Sequence, residues 1–393
     1  MVGADMSTRY VIYGAGALGT LLGAGLAESG AAVVLVGRDR LLERQRVSTE
    51  GIVVETPAGR RIIRELTIAS SLGEVTAHSE DVLLLGVKAW AAADAVQALR
   101  ERYDESTPLV TFGAGVRNEE FAAQRFRRVY GLLAPLDAFW QAPGVIAQLA
   151  ERPLWLGGYP LGLDAVGERI ASDLRAAGWQ VEFPDSILAV KWNQLVLDLN
   201  QATLALLGLS LSQALATSGV PSLMAEVIEE AGRVLASAGM TVDSSGHDLP
   251  FSSCGSLLRQ AGDSPLQPQA RSISLLGEHS PMCWDLELHR GQTEAGFLNG
   301  EILLLGEKHQ VPTPFNATLL SLVERVAADQ LPPGHYSVAD LISLIEQRRR
   351  LLYQPEPPLS IQTDTGAPSA IGPLDPDSGL DGAPPPTPTP EIR

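Results

Sequence analysis

RYVIYGAGALGTLLGAGLAESGAAVVLV, running from Arg9 to Val36, decides the fold. RYVIY (Arg9 to Tyr13) and AVVLV (Ala32 to Val36) are short apolar runs and read as buried strands. Between them Gly14, Gly16 and Gly19 fall in the spacing G-x-G-x-x-G and open a helix expected from about Ala17 to Ser29. Strand, glycine turn, helix and strand together form the context in which this spacing binds a dinucleotide. Gly14 permits the tight turn, Gly16 lets the backbone approach a pyrophosphate, and Gly19 brings helix and strand close. The anion would rest on unpaired first-turn amides, so Gly14, Ala15, Gly16, Ala17, Leu18 and Gly19 are candidate cofactor contacts. The apolar run from Val11 to Val36 is long enough to cross a bilayer. Its glycine pattern argues against a span, and MVGADMST lacks the basic start of a signal peptide.

The second strand ends in VGRDR. A site selective for NAD carries Asp or Glu here to bind the ribose 2′-hydroxyl. Gly37 is followed instead by Arg38, with Arg40 close by, and a guanidinium suits a 2′-phosphate. NADP(H) is therefore the expected cofactor. Asp39 keeps the NAD alternative open.

The alternation continues outward. VLLLGV (Val82 to Val87), LVTF (Leu109 to Phe112) and VYGLLAP (Val129 to Pro135) read as further strands of a doubly wound parallel sheet. IVVETPAGRRIIRELTI, from Ile52 to Ile68, holds two runs around a Pro-Ala-Gly turn and predicts a hairpin inserted in that sheet. PLWLGGY and a helix from about Leu163 to Ala177 follow. Beyond Asp185 the pattern turns helical, with helices expected over Ile187 to Leu207, Pro221 to Ala238, Thr293 to His309, Pro314 to Asp329 and Val338 to Arg350. The expected organisation is a Rossmann-type α/β domain over 1–185, an all-helical domain over 186–350 for substrate binding and dimerisation, and a tail over 351–393. Eleven of the 27 prolines lie after Leu352, and such a composition predicts a disordered segment, with a proline-rich ligand for another protein as its candidate role.

The 393 residues, 45% of them hydrophobic, suffice for two domains. A net charge of −17 without a basic run argues against a nucleic-acid partner. Cys254 and Cys283 show no metal-ligand spacing, so no metal is expected, and reduced thiols in a cytoplasm are the expected state. A small molecule is the expected partner, and a homodimer through apolar helices is compatible with the sequence.

One feature resists the simple reading. AVKWNQLVLDLNQATLALLG (Ala189 to Gly208) is a largely apolar helical stretch. Lys191, Gln194, Asp198 and Gln201 nevertheless fall on one narrow stripe of it. A solvent-facing stripe would explain this pattern, and so would a cleft.

GAGALG (Gly14 to Gly19), VGR (Val36 to Arg38), GVKAW (Gly86 to Trp90), KWNQL (Lys191 to Leu195), HRGQTEAGFLNG (His289 to Gly300) and VPTP (Val311 to Pro314) occur in that order. In these motifs the chain resembles the ketopantoate reductase (2-dehydropantoate 2-reductase) family from about Tyr10 to Ala328. The resemblance implies a Rossmann domain and an all-helical domain with the active site between them, and hydride transfer from NADPH to a 2-keto acid. It implies a strand-end lysine near the cofactor at Lys88 and a glutamate that bonds substrate or lysine at Glu294. The family's proton-donating lysine falls at Gln194, and the asparagine four residues later falls at Asp198. Its cofactor-side N-G pair falls at Ala114 and Gly115.

A glutamine amide donates a hydrogen bond but is no useful proton source, and positioned acid catalysis contributes about 10² to 10⁴ in rate. Lys191, one turn before Gln194, is the favoured replacement acid. Asp198, raised by burial beside Glu294, and Lys88, reaching from the cofactor side, are the alternatives. The chain therefore reads as an NADPH-dependent reductase of a 2-keto acid or of a related carbonyl or imine. The second reading is a catalytically degenerate NADP-binding relative acting as a sensor or partner subunit. Asn193, Asn200, Gln201, Ser280 and Arg290 are candidates for holding a substrate carboxylate.

Overall fold

A computed structural model describes residues 8–37, 51–150, 152–244, 251–263 and 280–353. Strands β1 (Arg9–Tyr13) and β2 (Ala32–Val36) pair in parallel around helix α1 (Ala17–Glu28). Tyr10 and Ile12 of β1 enter the core beneath α1, while Val11 enters the core on the opposite face. A strand covered on both faces reads as a continuous apolar run, which is why RYVIY does not alternate.

The next strands are β3 (Ile52–Thr56), β4 (Gly59–Ile63), β5 (Thr67–Ala69), β6 (Asp81–Leu85), β7 (Leu109–Thr111) and β8 (Val129–Leu133). They are followed by β9 (Asp137–Ala142), β10 (Val145–Ala150), β11 (Leu154–Gly158) and β12 (Val181–Glu182). Eight of them form one sheet in the order β12-β11-β8-β7-β6-β1-β2-β5, parallel except where β11 runs antiparallel to β8. Helices α2 (Ala92–Arg100) and α3 (Asn118–Ala123) cover one face, and α1 and α4 (Ala165–Ala176) the other. The chain leaves β1 toward β2 and returns to β6 on β1's other side. That reversal creates a crevice beyond the strand ends, the usual ligand position in such sheets.

The hairpin expected over Ile52 to Ile68 forms, but it is not inserted in the main sheet. It belongs to a separate four-stranded sheet, β4-β3-β10-β9, in which β10 pairs with both β3 and β9. The partner is a second hairpin that turns at Pro143-Gly144, with Gly144 at φ +75°. Only Thr67–Ala69 reaches the main sheet, as its edge strand.

The C-terminal domain is helical: α5 (Ile187–Asp198), α6 (Gln201–Leu207), α7 (Leu211–Ala216), α8 (Val220–Ser237), α9 (Phe251–Asp263), α10 (Pro281–Glu287), α11 (Asn299–His309), α12 (Pro314–Ala328) and α13 (Val338–Tyr353). The single helix expected from Ile187 to Leu207 is in fact α5 and α6. The freed carbonyl of Leu199 accepts from Asn299 Nδ2 at 3.2 Å. Asn200 donates to the Met224 carbonyl at 3.0 Å and accepts from Thr203 Oγ1 at 3.1 Å. The Asn299 amide thus satisfies a carbonyl that the break exposes, and Asn200 ties the break to α8. The helix expected from Thr293 likewise begins as a 3-10 turn, Glu294–Phe297, before α11.

Among the described residues no helix is long and apolar enough to cross a membrane, and no cluster of His, Cys, Asp or Glu is arranged to hold a metal ion. Cys254 and Cys283 are free thiols. Arg38, Arg40 and the tail from Gln354 lie outside the described residues.

Candidate active site

The crevice is lined first by the glycine turn. Gly14 sits at φ +113°, a conformation costly for a residue with a side chain, and a Cβ there would lie 2.5 Å from the Gly86 carbonyl carbon. The turns after β1 and β6 are thus packed backbone to backbone. Gly16 is extended, precedes α1 and supplies no side-chain cap; a Cβ there would meet nothing within 4 Å. Open space therefore borders the uncapped first-turn amides of α1, with Ala15, Ala17 and Leu18 partly exposed beside it. This cradle fits the pyrophosphate of a dinucleotide. At Gly19 a Cβ would lie 2.4 Å from the Gly14 carbonyl oxygen, so glycine is needed there for packing.

The turn after β6 carries Lys88. Its ammonium donates to Glu294 Oε2 at 2.8 Å and Asp285 Oδ2 at 3.0 Å, and lies 5.6 Å from the Trp90 ring centre. Burial works against the charge on Lys88, but the carboxylates of Glu294 and Asp285 outweigh it and hold its pKa above the usual lysine value. Glu294 Oε1 accepts from the Ala89 amide at 3.0 Å, and Asp285 Oδ1 accepts from Arg290 Nη1 at 2.7 Å. Burial raises the Asp285 pKa despite Lys88. This lattice joins the sheet to the 3-10 turn and to α10. The glycine loop after β7 reaches the same turn: a Cβ on Gly115 would lie 2.9 Å from the Phe297 carbonyl oxygen. The Ala114 carbonyl accepts from Asn118 Nδ2 at 2.8 Å.

From the helical side α5 presents Gln194 and Asp198. Asp198 Oδ1 accepts from Gln194 Nε2 at 3.1 Å and from Gln201 Nε2 at 2.9 Å. Burial raises the Asp198 pKa to about 7; the two amide bonds oppose this and nearby Glu294 adds to it. Ser280 caps α10 and donates to the Gln201 carbonyl at 3.0 Å, which ties α6 to the helix bearing Asp285.

Lys191, the favoured replacement acid, does not join this group. It is 3% exposed and pairs with Glu119 of α3, which also accepts from Thr111 Oγ1 at 2.6 Å. The reason is axial: Asp198 lies seven residues along the helix, roughly 10 Å at 1.5 Å per residue, and the buried carboxylate at the other end captures the ammonium. The stripe is therefore divided between two environments. Asp285 was missed because nothing in CWDLELHR marks an aspartate facing a lysine almost two hundred residues away.

The family model described as ketopantoate reductase PanE/ApbA matches residues 10–161, and its C-terminal counterpart matches residues 186–327. The 2-dehydropantoate 2-reductase of Pyrococcus horikoshii is 24% identical over 319 residues, covering 80% of this chain and 96% of that protein. The crystal structure of a PanE/ApbA family ketopantoate reductase from Ralstonia eutropha is 23% identical, with a TM-score of 0.67 over 82% of this chain and 99% of that one. D-mandelate dehydrogenase with NADH and anilino(oxo)acetate aligns at 20% identity with a TM-score of 0.67, again over 82% and 99%.

Proposed function

Because the chain belongs to the ketopantoate reductase PanE/ApbA family, we propose that it is an NAD(P)H-dependent reductase of a polarised double bond in a small molecule: a 2-keto acid or a related carbonyl or imine. The observation that carries this reading is the shared crevice. The glycine turn packs on the Gly86 turn that leads to Lys88, Lys88 holds Glu294 and Asp285, and Glu294 acts in turn on Asp198 of the Gln194–Asp198 pair. When bound, the nicotinamide supplies the hydride. The Ala17 and Leu18 amides would hold the pyrophosphate, and Lys88 would lie between the cofactor and the substrate. VGRDR supports NADP(H) over NAD(H), through Arg38.

Titrating NADPH and NADH calorimetrically, then following their oxidation against a panel of 2-keto acids and imines, tests this reading. We expect uptake of both nucleotides, tighter for NADPH, and steady oxidation with at least one substrate class. Uptake without turnover on either class would favour the degenerate relative, which the glutamine at the acid position also suits. A clear preference for NADH would overturn the role of Arg38.

A further inference from the structure

We infer, on the reductase reading above, that Arg290 selects the substrate by gripping its carboxylate through the Nε–Nη2 edge of the guanidinium. Five side chains singled out by the sequence could take that carboxylate, and four of them lie in the interior. Asn193 is buried, and its Oδ1 accepts from the Phe251 amide at 3.3 Å. Asn200 and Ser280 are buried and donate to the Met224 and Gln201 carbonyls, each at 3.0 Å. Gln201 is buried and donates to Asp198. Of the five, Arg290 alone is exposed, at 39% of its side chain.

The local sequence sets Arg290 in place. Helix α10 ends in a Schellman turn. The His289 amide donates to the Leu286 carbonyl at 3.0 Å and the Arg290 amide to the Asp285 carbonyl at 3.1 Å, with His289 left-handed at φ +48°. The same aspartate takes the side chain, Arg290 Nη1 donating to Asp285 Oδ1 at 2.7 Å. Arg290 is thus pinned to Asp285 at both ends. A guanidinium carries five N–H bonds in a fixed plane, and Nη1 is its terminal nitrogen remote from the Nε–H. Among the described residues this is the side chain's one hydrogen bond. The Nε–Nη2 edge is therefore free, and its two parallel N–H bonds match a carboxylate.

Charge placement agrees. Asp285 is shared, with Oδ1 on Arg290 and Oδ2 on Lys88, and Glu294 takes a second Lys88 N–H. The Asp285 and Glu294 side chains are 0% and 7% exposed, whereas Lys88 is 28% exposed. These four groups are neutral in sum, yet their accessible ends are the cations. The lattice therefore offers N–H bonds to an anion while its own carboxylates stay covered. An ammonium has three donors, and Lys88 has spent two, which leaves one for a carbonyl oxygen. One carboxylate separates Lys88 from Arg290, so the two cations suit an acid whose carbonyl adjoins its carboxylate. A primary amide in place of that carboxylate brings the fork a single acceptor oxygen and no charge.

The test uses the full chain with NADPH, the 2-keto acids 2-oxoisovalerate and phenylglyoxylate, their primary amides, and oxamate as a mimic that is not reduced. Wild type should favour each acid over its amide at least tenfold in kcat/KM. Arg290→Met should raise KM for the acids by roughly ten- to hundredfold, as expected for the loss of a charge-assisted pair. It should leave NADPH affinity unchanged and bring the acid-to-amide ratio close to one. Arg290→Lys keeps a cation beside Asp285 but lacks the fork, so it should melt with wild type and recover only part of that ratio. With NADPH present, oxamate should bind wild type at least tenfold more tightly than Arg290→Met in a calorimeter. An acid preference that survives in Arg290→Met, or a wild type indifferent to the carboxylate, overturns the assignment and leaves the reductase reading standing. If nucleotide is taken up and nothing is reduced, the reductase reading falls, and oxamate then decides Arg290. Oxamate binding that Arg290→Met leaves unaltered, or that wild type lacks, overturns the assignment as well.

Discussion

Lys191→Met separates the two roles that the sequence allows for this lysine. In the structure its ammonium and the Glu119 carboxylate form an ion pair with both side chains nearly inaccessible, at 3% and 0% exposure. Glu119 Oε2 is buried without a partner, so the acid depends on Lys191 and Thr111 at its other oxygen. Removing the lysine leaves a buried carboxylate held by one hydroxyl. Breaking a buried pair in this way costs about 3 to 5 kcal/mol, against a total stability of about 5 to 15 for a typical domain. The measurement is urea unfolding followed by tryptophan fluorescence, with the wild-type slope retained. Replacing both partners by neutral groups of similar shape, Lys191→Met with Glu119→Gln, should recover most of the loss, because the unpaired charge causes it. Residual kcat/KM of folded Lys191→Met should stay within a few-fold of wild type. A variant that unfolds within about 1 kcal/mol of wild type but loses 10² or more in kcat would refute the reasoning and return Lys191 to the role of acid.

Two further predictions concern pH and the glycine turn. The folded-state pKa of Asp198 is raised from 3.8 to about 7, so the folded protein retains a proton that the unfolded chain releases, and stability falls as pH rises from about 4 to about 7. At 1.36 kcal/mol per pKa unit the ceiling is about 4 kcal/mol, halved to about 2 for solvent in the crevice. The melting temperature of Asp198→Asn should match wild type at pH 4 and exceed it by about 3 °C at pH 8; an equal offset at both pH values refutes this. Gly16→Ala should melt with wild type, since its Cβ meets nothing, yet bind NADPH at least tenfold more weakly, whereas Gly14→Ala should lose about 1 to 3 kcal/mol of stability through its φ of +113° and the Gly86 contact. Equal nucleotide affinity for Gly16→Ala and wild type would place the pyrophosphate elsewhere.

The opening stretch was legible because its information is local. A doubly buried strand, a glycine turn and a helix each leave a mark within a few residues, and β1, α1 and β2 form where the runs place them. The second sheet was not legible, because β3 of the first hairpin pairs with β10, about ninety residues later, and the pairing of two edges has no local signature. The break between α5 and α6 was hidden for the same reason: Asn299, a hundred residues away, satisfies Leu199. The family motifs singled out Lys88 and Glu294, which the structure brings into contact, and periodicity singled out Gln194 and Asp198, which bond each other. Periodicity gave angle but not reach, so it could not show that Lys191 turns to Glu119 while Asp198 turns to Gln194 and Gln201.

The residues at 194 and 198 are best understood as one change in chemistry. A lysine at 194 beside an aspartate at 198 would form an i,i+4 ion pair that lowers the carboxyl pKa and removes it as an acid. A glutamine at 194 bonds the same oxygen without charge, so burial and Glu294 prevail and Asp198 can hold a proton near neutrality. The helix bearing the pair is held to the sheet by Lys191–Glu119, and the two halves are joined again by Arg117–Glu301, at 2.8 Å, and by Lys88–Glu294. These contacts fix Asp198 relative to the strand ends. On this arrangement, a glutamine at 194 leaves the aspartate one turn further on able to carry a proton near neutrality.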